Sequence, residues 1–459
     1  MSPYFRRVLW PCLIFVLLTL VACSGNFDFP ADLIPDAIVT TPAPTQIPNV
    51  EQTNTTDPSL ESESANQSDV EITPEVEQVD DGSIQGRLAI VNQNGRLMTM
   101  SADGSESRQV STGRDIYRFP SWSPTSDQIA VIGEYNQDVR LLVFDDVEEN
   151  EPIVLYDQRG LAPIYLYWHP EGESVSFIAN SPSGLAFYLE PADGSGSSTP
   201  LNRGQPFYWQ WLANGKQALV HVENERLAFM DLAGEESITG LGSRGSFQTP
   251  ALSSRNRYLA YQELRENGRF IIIKDLHEDQ IALQTNHQGF LSMGWNPNTS
   301  QLAYVSPRSD RSSFGPLFLW DATVGEEQLL TNDDVIAFFW SPDGRTLAYL
   351  TAQPNSGPQA KVGGAVSQQR QFITLATIDI ETGAQRYIAT FEPNPIFVSQ
   401  FLPFFEQYAL SHRIWSPDSR ALAIPVINNE GEPEILITPI DGQDSYRVSD
   451  GFLAFWSHQ

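Results

Sequence analysis

The chain has 459 residues and a formal net charge of −30 at pH 7, because 57 Asp and Glu outnumber 27 Lys and Arg. This excess of negative charge repels polyanions and argues against nucleic acid as a partner. The 32 Pro and 31 Gly, with charged residues at 18%, indicate many turns and short strands and exclude an all-helical protein. Both cysteines, Cys12 and Cys23, lie near the N-terminus, so the folded part should hold neither a disulfide nor a cysteine metal site.

The first 22 residues have the pattern of a signal peptide. Arg6 and Arg7 precede an apolar run, Val8–Leu20, which is shorter than the roughly 20 residues of a membrane-spanning helix. The run ends in Leu-Val-Ala-Cys, which resembles the bacterial lipobox. That resemblance implies lipidation of Cys23 and a soluble body held outside the cytoplasm, on the cell membrane or envelope. The alternative is ordinary signal cleavage beside an incidental cysteine.

Residues 23–83 follow as a predicted linker. They are rich in Thr, Pro, Ser, Asn, Asp and Glu, and no Lys or Arg occurs between Arg7 and Arg87. Such a segment cannot bury enough apolar surface to fold, and its like charges extend it. We therefore expect a disordered acidic spacer between a lipid anchor at Cys23 and the body. An acidic recognition tail is the alternative, with Phe27 and Phe29 as its only aromatic residues.

A sequence repeat fills residues 84–459. The clearest copy is Trp340-Ser-Pro-Asp-Gly-Arg-Thr-Leu-Ala-Tyr349, and Trp415–Ile424 is a close relative. Less regular copies begin at Trp122, Trp168, Trp211, Leu252 and Trp295. Anchor residues are 41–46 positions apart, except for 75 between Trp340 and Trp415. A propeller blade repeats at about this length.

Each repeat predicts one four-stranded blade. The Trp ends an inner strand, Ser-Pro-Asp-Gly forms a tight turn, and Leu-Ala-Tyr starts the second strand. Eight such second strands occur; the first, Leu88–Ile90, lacks an inner strand before it, while Gly451–Ser457 is an inner strand with no blade after it. We therefore predict an all-β, eight-bladed propeller, closed by pairing of the C-terminal strand with the first blade, with seven blades as the alternative.

The Trp-Ser-Pro-Asp-Gly…Leu-Ala-Tyr pattern resembles the propeller repeat of the TolB family, which is related to WD repeats. The resemblance covers residues 84–459 and implies a β-propeller fold. The chain differs from TolB in that no α/β domain precedes the propeller, so the TolB partner is not carried over. A fold of this kind supports many functions, and function must be argued from the site.

No catalytic motif stands out in the sequence. Gly-x-Ser-x-Gly does not occur, and the six histidines lack metal-ligand spacing, so we predict no cofactor and no metal. His169 replaces the turn Ser and is interpreted as a turn residue, and Asp343 and Asp418 as turn caps. We therefore expect a non-catalytic protein.

The seventh repeat carries two insertions. One, Gln353–Gln371, is polar and Gly-rich; the other, Phe391–His412, contains Phe397, Phe401, Phe404, Phe405 and Tyr408. In a four-stranded meander both connections leave the same face, and long loops on a rigid scaffold commonly carry function. The alternative is that the aromatic insertion folds back and covers its own blade.

Residues just before the inner strands should line the channel mouth on the insertion side. The predicted binding residues are Arg118, Tyr165, Tyr208, Gln248, Phe290, His412 and Arg413, together with Phe401, Phe404 and Phe405. Aromatic and Arg side chains are favoured binding anchors, although strand-end packing would also explain each of them. We predict an envelope lipoprotein that binds a protein, peptide or glycan. The alternative is an enzyme resembling polysaccharide lyases, with its active site at a channel mouth.

Overall fold

The computed structural model describes residues 83–224, 226–242, 247–352 and 371–459. The predicted signal peptide, Cys23, nearly all of the linker and most of the polar insertion 353–371 lie outside these residues. Within the described ranges, no helix is both long and apolar enough to cross a membrane.

The described chain folds into short antiparallel strands, grouped into seven sheets. The first sheet contains β1 (Arg87–Val91), β2 (Leu97–Ser101), β3 (Arg108–Gln109) and the last strand, β30 (Leu453–Trp456). The second contains β4 (Ile116–Trp122), β5 (Gln128–Tyr135), β6 (Asp138–Asp145) and β7 (Ile153–Tyr156). The third contains β8 (Pro163–Trp168), β9 (Ser174–Ser181), β10 (Gly184–Pro191) and β11 (Asn202–Arg203). The fourth contains β12 (Phe207–Trp211), β13 (Gln217–Val222), β14 (Arg226–Asp231) and β15 (Glu236–Gly242).

The remaining sheets continue the same meander. The fifth contains β16 (Ala251–Leu252), β17 (Tyr258–Arg265), β18 (Gly268–Asp275) and β19 (Gln280–His287). The sixth has seven strands: β20 (Ser292–Trp295), β21 (Gln301–Val305), β22 (Gly315–Asp321), β23 (Glu326–Trp340), β24 (Thr346–Ala352), β25 (Ile373–Asp379) and β26 (Gln385–Phe391). The seventh contains β27 (Ala421–Ile427), β28 (Pro433–Pro439) and β29 (Tyr446–Asp450).

A helical segment interrupts the strands between β26 and β27. It consists of a π-helical turn, Phe397–Phe401, a 3-10 turn, Leu402–Phe404, and the α-helix α1, Phe405–Ser411. These three pieces are formed by the aromatic insertion seen in the sequence. We refer to Phe397–Ser411 as the helical plug.

The anchor tryptophans connect each repeat to the one before it. Their indole N–H groups are buried and need an acceptor. Five of them donate to a main-chain carbonyl of the preceding inner strand: Trp122 to Phe455 at 3.2 Å, Trp168 to Ser121 at 2.8 Å, Trp295 to Ala251 at 2.9 Å, Trp340 to Gly294 at 2.9 Å and Trp415 to Phe339 at 3.1 Å. Trp211 donates to the Ser176 hydroxyl at 3.1 Å instead.

The repeat that lacks a tryptophan makes the same connection in another way. Leu252 occupies the anchor position, and the side chain of Gln210 accepts from its N–H at 2.8 Å and donates to its carbonyl at 2.9 Å.

The second strands carry a fully buried Ala at the predicted small position in six repeats: Ala89, Ala130, Ala260, Ala303, Ala348 and Ala423. Neighbouring sheets therefore pack closely around this position.

The Ser-Pro-Asp-Gly turns have the predicted chemistry. Asp343 accepts from the Ser341 hydroxyl at 2.6 Å and from the Arg345 N–H at 3.0 Å, and Asp418 makes equivalent bonds. Gly344 has φ +70°, and an added Cβ would lie 2.3 Å from Asn296, so only glycine fits there. His169 is a turn residue whose ring bonds the Gly215 carbonyl at 2.7 Å.

The two ends of the described chain meet in the first sheet. Strand β30 pairs with β1 in antiparallel register, from Leu88 opposite Trp456 to Val91 opposite Leu453. The Arg87 N–H donates to the Ser457 hydroxyl at 3.0 Å, and the Ser457 N–H donates to the Arg87 carbonyl at 2.8 Å. The C-terminal strand thus supplies the inner strand that the first repeat lacks.

Deleting Phe452–Gln459 should destabilise the propeller. The deletion removes the buried side chains of Leu453, Phe455 and Trp456, each worth about 1.5–3 kcal/mol on burial, and leaves one edge of β1 unpaired, while β2 still pairs with the other edge. We expect a lower melting temperature and a broader transition in circular dichroism. Deleting only the exposed Gln459 is the control. Identical melting of the parent and the longer deletion would contradict the role given to this strand.

Candidate functional site

Half of the ten predicted binding residues are buried. Tyr165, Tyr208, Phe401, Phe405 and His412 are each less than 8% exposed, so they pack in the interior instead of lining an open mouth. Arg118, Gln248 and Arg413 are half-buried. Phe290 and Phe404 are exposed, at 41% and 40%.

The helical plug lies across the insertion-side mouth and explains why these five predicted residues are buried. Phe401 lies against Phe339 of β23 and Phe455 of β30, with ring centroids 6.0 and 5.6 Å apart. Tyr408 stacks on Phe119 of β4 at 4.8 Å and meets Tyr165 of β8 edge-on at 5.2 Å. The plug thus reaches inner strands of several repeats. The insertion therefore folds back, as that alternative held, and it covers inner strands of other repeats as well as its own blade.

A hydrogen-bonded network fixes the end of the plug. The Ser411 hydroxyl lies 2.6 Å from Nδ1 of His412 and 2.8 Å from the Tyr165 hydroxyl. Nε2 of His412 lies 3.1 Å from the Phe119 carbonyl, which can only accept, so this nitrogen carries the proton. Burial lowers the pKa of His412 to about 3, and the ring is neutral at pH 7. This Ser–His contact is sealed from solvent and serves packing.

Glu406 is the acidic residue of the plug. Burial raises its pKa to about 8. Hydrogen bonds from Ser292 and from the Met293 main chain favour the charged form and act in the opposite direction, but burial has the larger effect. The carboxyl is therefore mostly protonated at pH 7. Nothing in the sequence singles out Glu406, because an acidic residue in a loop is ordinarily solvated. Its burial depends on where α1 docks.

The half-buried predicted residues make structural contacts. Arg118 forms an ion pair with Glu134 at 2.8 Å. The Gln248 carbonyl accepts from Nδ1 of His221 at 2.7 Å, and its side-chain oxygen accepts from the Leu291 N–H at 3.2 Å. Gln248 therefore connects β13 to the segment before β20. Among the predicted residues, Arg413 differs from these, because its side chain makes no such bond within the described chain.

The described residues contain no cluster of three or more His, Cys, Asp or Glu side chains that could hold a metal ion. The rival enzyme interpretation required a cluster of His, Gln and Arg holding a metal at one mouth. His412 is the histidine of the insertion-side mouth, and both of its ring nitrogens already bond protein oxygens.

No protein-family model and no curated protein matches this sequence. Among solved structures, the dihydro-heme d1 dehydrogenase NirN in complex with DHE is similar over 81% of this chain and 75% of its own, at 12% identity and a TM-score of 0.50. An oligogalacturonate lyase in complex with manganese covers 71% and 86%, at 13% identity and a TM-score of 0.48. TolB from Acinetobacter baumannii covers 66% and 63%, at 16% identity and a TM-score of 0.37.

These similarities concern the fold alone. The sheet topology and the similarity at a TM-score of 0.50 agree with the predicted TolB-like, WD-repeat-like β-propeller. At 12–16% identity the similar structures do not assign an activity to this chain.

Replacing Glu406 by Gln should flatten the pH dependence of stability. The folded-state pKa of about 8 lies above the ordinary 4.5, so the stability that the protonated carboxyl contributes is present below pH 4.5 and is lost as the pH rises through about 8. We expect the melting temperature of E406Q to exceed that of the parent more at pH 8.5 than at pH 5. Glu266→Gln, at an exposed position, is the control. If E406Q and the parent differ in melting temperature by the same amount at pH 5 and at pH 8.5, the burial of Glu406 is contradicted.

Proposed function

We propose that this protein is an extracytoplasmic lipoprotein, tethered to the bacterial membrane through Cys23, whose β-propeller is a non-catalytic platform for a protein, peptide or glycan of the cell envelope. The propeller has eight blades, and the C-terminal strand closes the ring. The acidic linker 23–83 holds this platform away from the lipid surface.

The way in which the sheets divide supports eight blades. The seven-stranded sheet turns at the 15-residue β23, whose first part pairs with β22 and whose last part pairs with β24, so it contains two blades. The three-stranded sheet gains a fourth, inner strand at Trp415, which bridges to Leu422. These three blades and the five four-stranded sheets make eight.

The observation that carries the platform function is the filling of the insertion-side mouth by the plug. A filled mouth turns this face into a continuous surface, on which the exposed Phe290 and Phe404 remain. Exposed aromatic side chains on a rigid scaffold are effective binding anchors, because they bury much area with little loss of conformational freedom. A lyase-like active site at this mouth is the weaker interpretation, since the plug occupies the space that a substrate would need.

The anchor is tested with Cys23→Ser. The variant lacks the sulfur that would carry the lipid, so we expect it to leave the membrane fraction and appear in the soluble envelope fraction. Cys12→Ser, within the apolar run, is the matched control and should remain bound. A C23S protein that still sediments with membranes after a carbonate wash would refute the lipid anchor.

The platform is tested with a Phe290→Ala and Phe404→Ala double variant. Deleting the whole insertion would be uninformative, because Phe397, Phe401 and Phe405 belong to the core. We expect the double variant to fold normally and to lose cross-linked partners from envelope extracts. Tyr387→Ala is the control, since Tyr387 is 64% exposed on the outer strand β26. If all three proteins capture the same partners, the insertion face is not the binding surface.

A further inference from the structure

The outer strand of the fifth sheet, β19, has an open edge. One edge pairs with β18, from Arg269 opposite His287 to Asp275 opposite Gln280, and within the described chain no strand pairs with the other edge. Main-chain N–H and C=O groups along an open edge can pair with a further strand. The eight residues of β19 can therefore accept another extended segment.

Other outer strands of the described chain are protected in ways that β19 is not. Natural sheet edges are commonly short or carry charged side chains, which prevent pairing with another chain. Strands β3, β7 and β11 have two, four and two residues. The longer outer strands carry charged residues: Glu236 in β15, Glu326 and Glu327 at the start of β23, Arg386 in β26, and Arg447 and Asp450 in β29. Of the outer strands longer than four residues in the described ranges, only β19 has no charged side chain.

The edge of β19 is regular over most of its length. A register shift leaves Ala282 out of the pairing with β18, but the last five residues, from Leu283 onwards, pair without interruption. The Gln284 side chain is fixed, because Arg265 donates to its Oε1 at 3.1 Å. Asp279, which precedes the strand, forms an ion pair with Lys274 at 2.6 Å. The edge is thus uncharged, and the charge of the acidic residue before it is compensated.

The exposed side chains of β19 are apolar or neutral. Ile281 is 50% exposed, and Gln280, Gln284 and Asn286 are exposed as well. A further strand along this edge would cover part of Ile281, and β-branched side chains pack well against a cross-strand neighbour. Covering the edge would therefore bury apolar surface in addition to forming main-chain hydrogen bonds.

We propose that two copies of this chain pair edge to edge through β19, antiparallel to each other and related by a two-fold axis. In such a pair each residue lies opposite a residue of the same strand, so a charge on the strand would approach its own copy. A chain with a net charge of −30 needs an uncharged contact for self-association, and β19 supplies one. Each copy has one such edge in the described ranges, so the assembly closes at two copies.

Sedimentation of the purified full chain in a mild non-ionic detergent tests this pairing. The parent should shift from monomer to dimer as the protein concentration rises. Ile281→Lys should weaken dimerisation at least about fivefold, because it brings a lysine of each copy towards the edge of the other. Tyr387→Lys is the matched control, since Tyr387 is 64% exposed on the outer strand β26, and it should leave dimerisation unchanged.

Disulfide cross-linking provides a second measurement that does not depend on an added charge. Cys12 and Cys23 are the cysteines of the chain, so both are replaced by Ser before one cysteine is introduced into β19. Opposite residues of an antiparallel pair have Cα atoms about 4.5–5.5 Å apart, which a disulfide can span. Of three variants with a cysteine at Leu283, Gln284 or Thr285, at least one should form a disulfide-linked dimer on oxidation. Tyr387→Cys should not.

A parent that stays monomeric at every concentration, or an Ile281→Lys variant that dimerises as the parent does, would overturn the proposal. Cysteines in β19 that cross-link in envelope extracts only to another protein would also overturn it, because the edge would then bind a partner strand. If Ile281→Lys fails to fold by circular dichroism, the cysteine variants decide. The lipid anchor and the platform are tested at Cys23, Phe290 and Phe404, which lie outside β19, so those proposals and this one fail separately.

Discussion

The indole hydrogen bond between neighbouring repeats is the interaction on which this propeller depends. Five anchor tryptophans end their own inner strand and donate to the inner strand before it, and Trp211 donates to Ser176 of β9. One such bond contributes only about 1 kcal/mol to stability, but a buried indole without an acceptor would cost more than that. The bond therefore fixes the spacing and order of the blades. Trp456, at the junction of the last and first blades, is the exception: its indole N–H has no partner in the described structure, and its main-chain N–H bonds Arg413 instead.

The helical plug converts an aromatic insertion into part of the core. Three phenylalanines, Phe397, Phe401 and Phe405, are almost fully buried, and burial of each is worth about 1.5–3 kcal/mol. The same side chains on a free loop would form a large exposed apolar patch. Because the plug rests on inner strands from several blades, it also ties together parts of the ring that do not touch one another directly. Its outer surface, with Phe404, is what a partner would meet.

Burial keeps several ionisable groups of the propeller interior neutral, although the chain as a whole carries a formal net charge of −30. His412 and His458 remain unprotonated, and Glu406 remains protonated, because each charged form is poorly solvated there. Arg413 cannot escape in this way, since a guanidinium stays charged over the whole physiological range.

The sequence alone determined the β-propeller, the boundaries of its repeats and the strand that completes the first sheet. Those features depend on local chemistry: the turn residues of Ser-Pro-Asp-Gly, the alternation of Leu-Ala-Tyr and the period of the anchors. Only the tertiary structure decided where the residues outside the repeat lie and what they contact. Nothing near Phe401 or His412 in the sequence indicates whether a loop turns outward or docks across the channel, because their partners, Phe119 and Phe455, lie on strands at opposite ends of the chain.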